Sequence, residues 1–202
     1  MSKFTQKPSD WDSVQAFTEY EPLELGGHVC RIMKVEEGKS KAGNDTVYIY
    51  LDIAEGEQKG YYSEQYRNDN RPDKKWGCIV YQLFEGRDGN TSRGFKTFVE
   101  TVTASNPGFN ANQIWNENFC NYFKDKLIGG IFGREQYRSP KDGSLKFSTK
   151  CRSFVTVEKA RAGIPAPADK LLDSGTGTAA SNPFAAMGFA EMPGSLADDL
   201  PL

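Results

Sequence analysis

The chain has 202 residues, a net charge of −2 and 38% hydrophobic residues, enough for one packed domain with unpacked appendages. No run of about 18 apolar residues is available to span a membrane, and Met1 to Thr5 lack the apolar core of a secretory signal, so the expected location is the cytoplasm. Cysteines 30, 78, 120 and 151 form no C-x-x-C pair and read as thiols, and His28-Val29-Cys30 has too few ligands for zinc, so no metal or other cofactor is expected.

Residues 1–20 are polar and read as an arm, with a short helix around Ser13 to Phe17, that packs on the body through Trp11 and Phe17. His28 to Glu36 is the first predicted strand, and Glu37 to Asp45 the turn after it. Thr46 to Ala54 is the second, with the cleanest alternation in the chain. Val47, Ile49, Leu51 and Ile53 take the core face; Thr46, Tyr48, Tyr50 and Asp52 take the outer face. Gly60 to Arg67 reads as a tyrosine-rich third strand, and Cys78 to Phe84 is apolar but too short to type. Gly94 to Ser105 reads as a helix, because Phe95, Phe98, Val99 and Val102 recur at i, i+3, i+4 and i+7. Asn106-Pro107-Gly108 should stop it, and another helical turn or two is expected around Trp115 and Phe119.

Leu127 to Tyr137 and Leu145 to Val157 read as a hairpin around Pro140-Lys141-Asp142-Gly143. Between Lys124 and Arg161 stand ten Lys or Arg and four acids, a local +6 in a chain that totals −2. Strict alternation would put Lys146, Lys150 and Arg152 on one face with Phe154, while Arg134 and Arg138 share the phase of Phe132. Such a surface suits a polyanion. Gly129, Gly130 and Gly133 mark a sharp bend in the first of these strands.

Two strands, a third, a helix and a hairpin fit a mainly β domain over residues 21–162: a five-stranded Greek-key barrel of the OB type with one or two helices. The outer side of strands 2 and 3 would then hold single-stranded nucleic acid. Tyr48, Tyr50, Tyr62, Tyr66 and Trp76 would stack on bases, and Arg67, Arg134, Arg138, Lys146, Lys150 and Arg152 would follow phosphates. RNA fits this chemistry as well as DNA. A single histidine, no phosphate loop and no visible triad argue against catalysis. A nuclease using Asp52 and Glu55 as metal ligands, or a protein-interaction module, is the alternative.

Residues 163–202 hold one basic and five acidic side chains, and Ser174 to Ser195 is mostly small residues and Pro, so the segment reads as a disordered linker with an acidic end. That end, Asp198-Asp199-Leu200-Pro201-Leu202, resembles the tip of bacterial single-stranded DNA-binding proteins: a run of Asp, an aliphatic residue, Pro and a terminal Phe behind a Gly/Pro-rich linker. Here there are two Asp, and Leu202 stands in place of Phe. The body, over roughly 21–158, resembles phage-encoded OB-fold single-stranded DNA-binding proteins through Leu25-Gly26-Gly27 and Lys39-Ser40-Lys41-Ala42-Gly43-Asn44. The resemblance implies binding of single-stranded DNA in replication, recombination or repair, in a host cytoplasm if the source is a phage. It also implies recruitment of a replication or recombination protein by residues 198–202. Self-association into a homo-oligomer is compatible with it.

Overall fold

A computed structural model describes residues 6–13, 21–86 and 88–172. The chain runs β1 (Gly26–Lys39), β2 (Asp45–Ile53), α1 (Tyr61–Asn68), β3 (Ile79–Leu83), α2 (Arg93–Ser105), two 3-10 turns (Ala111–Gln113 and Phe119–Phe123), β4 (Leu127–Arg138), β5 (Leu145–Val155) and α3 (Val157–Arg161). The protein is mainly β. All its strand pairs are antiparallel, in one five-stranded sheet of order β3-β2-β1-β4-β5. Among the described residues no ladder joins β3 to β5, so the sheet is not closed. Helix α2 touches β3, β4 and β5 and spans the gap between the two edges. Its Phe98 ring meets Phe154 of β5, and its Phe95 ring meets Phe84 just past β3. Ser92 caps α2 by accepting from Phe95 N at 3.1 Å. Asn106, just past its end, donates to Val102 O and exchanges two hydrogen bonds with the backbone of Leu127, which ties the helix to the start of β4.

Segment 60–67 is a helix and not the expected strand. The cause lies ten residues upstream. Asp52 is buried in β2, where its carboxylate accepts from the amide of Tyr62 at 2.9 Å and from the hydroxyl of Ser63. A carboxylate at these orphan N–H groups satisfies them and suits the positive end of the helix. Once α1 forms, Tyr62 and Tyr66 point into the core from the same helical face. Tyr50 and Asp52, which alternation assigns to solvent, are buried along with Leu51. Cys78 to Phe84 resolves into the short strand β3.

The expected linker is corrected in its first ten residues. Residues 163–172 lie on the body as a strap. Gly27 N donates to Ile164 O at 2.9 Å. Beyond Phe132 the strand β4 has outrun β1, whose pairing ends at Gly26. On that free edge Lys170 N donates to Arg134 O, and Gln136 N donates to Lys170 O, a one-residue parallel bridge. Gly133 is required where the strap crosses, because a Cβ there would come within 2.6 Å of Pro167 Cγ. Close approach, not only a bend, explains this glycine. Trp11 is exposed, against the packing expected of it, and Phe17 lies outside the described residues.

Candidate nucleic-acid interface

Five of the aromatic residues expected on a binding face are in the interior or its margin. Tyr50 is fully buried, and its hydroxyl donates to Glu36 Oε2 at 2.7 Å. Burial and this carboxylate hold its phenol well above the ordinary range. Tyr62 is buried against Phe132 and is raised for the same first reason. Tyr66 packs on Trp76, whose indole N–H donates to Leu51 O at 2.8 Å. Tyr48 is half-buried. Its ring lies over Gly38, meets Tyr81 edge-on and donates through its hydroxyl to Lys39 O. Alternation in β2 was read correctly, but both of its faces are covered. Arg67 is exposed on the last turn of α1.

The basic hairpin is where the sequence placed it, with a different division of its faces. A bulge in the β4–β5 ladder pairs Ile131 with Ser153 and Phe132 with Cys151, which leaves Arg152 as the extra residue. Past it the phase of β5 slips by one, so Phe154 turns into the core while Lys146 and Lys150 stay outside. Residues opposite one another share a face. The register therefore groups Tyr137 with Lys146 and Lys150 on one side, and Arg134, Arg138, Leu145 and Phe147 on the other. Lys146 and Lys150 keep the shared face that alternation gives them, and the bulge takes Arg152 and Phe154 out of that pattern.

From Gly133 onward the hairpin has no partner in β1. Its large side chains are left in solvent there: Tyr137 is 41% exposed, Phe147 44% and Leu145 51%. Arg134 sits 5.3 Å from the centre of the Phe147 ring. Two cations are already engaged by the strap. Arg134 pairs with Asp169 through two bonds of 2.7 and 3.0 Å, and Arg152 donates to Ala168 O at 2.6 Å. Arg138 donates to Gly143 O across the turn. Lys146 and Lys150 are exposed, Lys146 lying 3.7 Å from Asp142.

A second feature was missed by sequence reasoning. At the opposite end of β1 a cavity of about 340 Å³ is lined by Glu37, Asp45, Phe84, Trp115 and Phe119 among others. Trp115 is 56% exposed and stacks on Phe119 at 24° between ring planes. Its signal in the sequence was a cluster of aromatics after α2, which reads equally well as core.

Asp52 and Glu55, the alternative metal ligands, are committed elsewhere. Asp52 caps α1, and Glu55 pairs with Arg161 at 2.6 Å, which holds its carboxyl below the usual range. No three potential metal ligands gather among the described residues. No described helix is long and apolar enough to cross a membrane. Asp198, Asp199, Leu200, Pro201 and Leu202 lie outside the described residues. No protein-family model matches the chain, and no curated protein matches it.

Proposed function

We propose that the protein binds single-stranded DNA without catalysis and largely without regard to sequence, with the free part of the β4–β5 hairpin as its contact surface. The observation that carries this reading is the face formed by Tyr137, Lys146 and Lys150: an exposed aromatic directly opposite one exposed lysine, with a second exposed lysine four residues along β5, on strands that have outrun the core. Base stacking and phosphate pairing both need such groups in solvent. Duplex DNA hides the flat faces of its bases, so an aromatic of this kind favours single strands. RNA presents the same faces and phosphates, and is the second ligand this chemistry admits.

An OB-type barrel is the finer architecture we infer. The order β4-β1-β2-β3 is that of a Greek key, and the OB barrel is partly open, which α2 between β3 and β5 accommodates. Replication, recombination or repair in a phage-infected cell, with a partner protein recruited by residues 198–202, follows from the resemblance of body and tip. The decisive experiment is titration of the pure protein with poly-dT and with duplex DNA at two salt concentrations. Tight, salt-sensitive binding to poly-dT with weaker binding to duplex is the expected result. Equal affinity for both, or none at low salt, would overturn the reading.

A further inference from the structure

The hairpin tip and the Trp115 cavity lie at opposite ends of β1. The tip runs out past Gly26, the first residue of β1, and the cavity is built on Glu37 and Gly38 near its last. Fourteen residues of strand separate the two ends, roughly 40 Å of strand path at about 3.3 Å per residue. The two patches therefore face opposite ends of the strand.

Their chemistry is complementary. The cavity has aromatic walls, Trp115, Phe119 and Phe84, and carboxylates at its rim, Glu37 and Asp45. Asp45 is bridged to Lys39 at 2.5 Å, which leaves Glu37 as the leading acid. Those acids speak against a phosphate chain as the occupant. The tip, in contrast, presents Leu145 and Phe147 in solvent on one face, beside Arg138 and with Lys141 in the turn. This face is not the one proposed above for DNA.

We propose that the cavity receives the hairpin tip of a second copy of this chain, with Leu145 and Phe147 against the aromatic walls and the tip cations against Glu37. A contact between two different patches at opposite ends is head-to-tail. Repeated from copy to copy in one direction, it gives a ring or an open row. On a single strand such a row would place the Tyr137 faces of successive copies along one lattice. That last consequence rests on the DNA-binding reading; the self-association does not.

The test is sedimentation velocity of the full chain over a concentration series, with Glu37→Lys and Leu145→Asp as variants. Both sites are exposed, so each variant should keep the native circular dichroism spectrum. Wild type should grow from 22.5 kDa into a distribution of larger species as concentration rises. Each variant alone should associate at least about tenfold more weakly, since a like charge or a buried carboxylate now faces its opposite patch. An equimolar mixture of the two variants should stop at two chains, because one good tip and one good cavity remain in it. Wild type that stays a monomer at every concentration would overturn the proposal, as would variants that assemble like wild type. Trp115→Ala serves as an independent cavity variant with the same expected loss. Affinity for a short oligo-dT should be unchanged in Glu37→Lys. Absence of oligo-dT binding in wild type would sink the DNA reading alone and leave the self-association result standing.

Discussion

Asp169 holds Arg134 in a two-pronged ion pair, 2.7 and 3.0 Å, across the free edge of β4. The pair neutralises one of the hairpin's cations from within the chain, and the Arg152 guanidinium is occupied by the same strap through Ala168 O. Arg134 is exposed and Asp169 only partly buried, so the pair itself adds little to stability. Arg134 shares a face with Phe147, opposite Tyr137, so the pair lies off the surface proposed for DNA. Asp169→Asn is therefore expected to change poly-dT affinity by no more than about twofold at low salt and to leave the log–log salt slope unchanged, since no phosphate contact is gained. Fluorescence titration at several salt concentrations measures both. A slope steeper by ~0.7 would put Arg134, and not the Tyr137 face, on the path of the strand.

Tyr50 tests the reassignment of β2. A stacking tyrosine could be removed with little loss of fold. A buried one cannot. Tyr50→Ala is expected to cost about 3–5 kcal/mol, the range for large aromatic truncations in a core. Tyr50→Phe keeps the packing but removes the donor to Glu36, which also faces Lys34 at 2.6 Å. It should cost about 1.5–3 kcal/mol, as for other hydrogen bonds to a charged group. Urea unfolding monitored by circular dichroism gives both values. A Tyr50→Ala protein with wild-type stability would return Tyr50 to the surface.

The gap between sequence and structure has a specific shape. The apolar pattern, with the turn residues, located α2 and all four long strands, most clearly β2, where Val47, Ile49, Leu51 and Ile53 are buried on one side. It failed at residues 60–67, where Tyr62 and Tyr66 fall on one face at either period. The deciding group was Asp52, which lies in another element. It failed again on the outer face of β2, since alternation records which residues share a side and not what covers that side. The hairpin cations were legible as a charge excess. The places of Arg152 and Phe154 were not, because the bulge at Arg152 shifts the phase of the residues after it. The strap was hidden by its composition: Pro and Ala carry little that marks a packed segment, and its partners, Gly27, Arg134, Gln136 and Arg152, all lie in other elements.

The thiols supply a pH prediction. Burial raises all four cysteines, Cys78 up to about 12 and Cys120 up to about 11 from an ordinary value of 9.0. A group whose folded-state pKa is raised supports the fold fully below its unfolded value. That support is lost as the pH climbs towards the folded value, because only the unfolded chain then releases its proton. Stability should therefore be flat with respect to these groups up to about pH 8 and decline from about pH 9 towards 12, with Tyr50 and Tyr62 adding to the loss. Chemical denaturation at pH 7, 9 and 10 measures it. Native protein should also react slowly with a thiol reagent at pH 8, and unfolded protein quickly at all four positions. Fast labelling of Cys30 or Cys78 in the native state would contradict their burial.

The two faces of the hairpin make opposite predictions. Tyr137, Lys146 and Lys150 share one face, and Leu145 and Phe147 share the other. Reversing Lys146 and Lys150 together to Glu removes two phosphate contacts and adds two repulsions. The log–log salt slope should flatten by at least ~1.4, at ~0.7 per contact. Tyr137→Ala should weaken binding to a short oligo-dT by about 1–3 kcal/mol, the range for one stacked base, with no change in slope, because no charge is lost. Phe147→Ala should leave binding to that oligomer close to wild type, since its ring lies on the far side and packs under Arg134. All three sites are at least partly exposed past the end of β1, so thermal melting should barely move. Should Phe147→Ala be the damaging substitution and Tyr137→Ala the silent one, DNA runs along the Arg134–Arg138 face and the strap lies directly in its way.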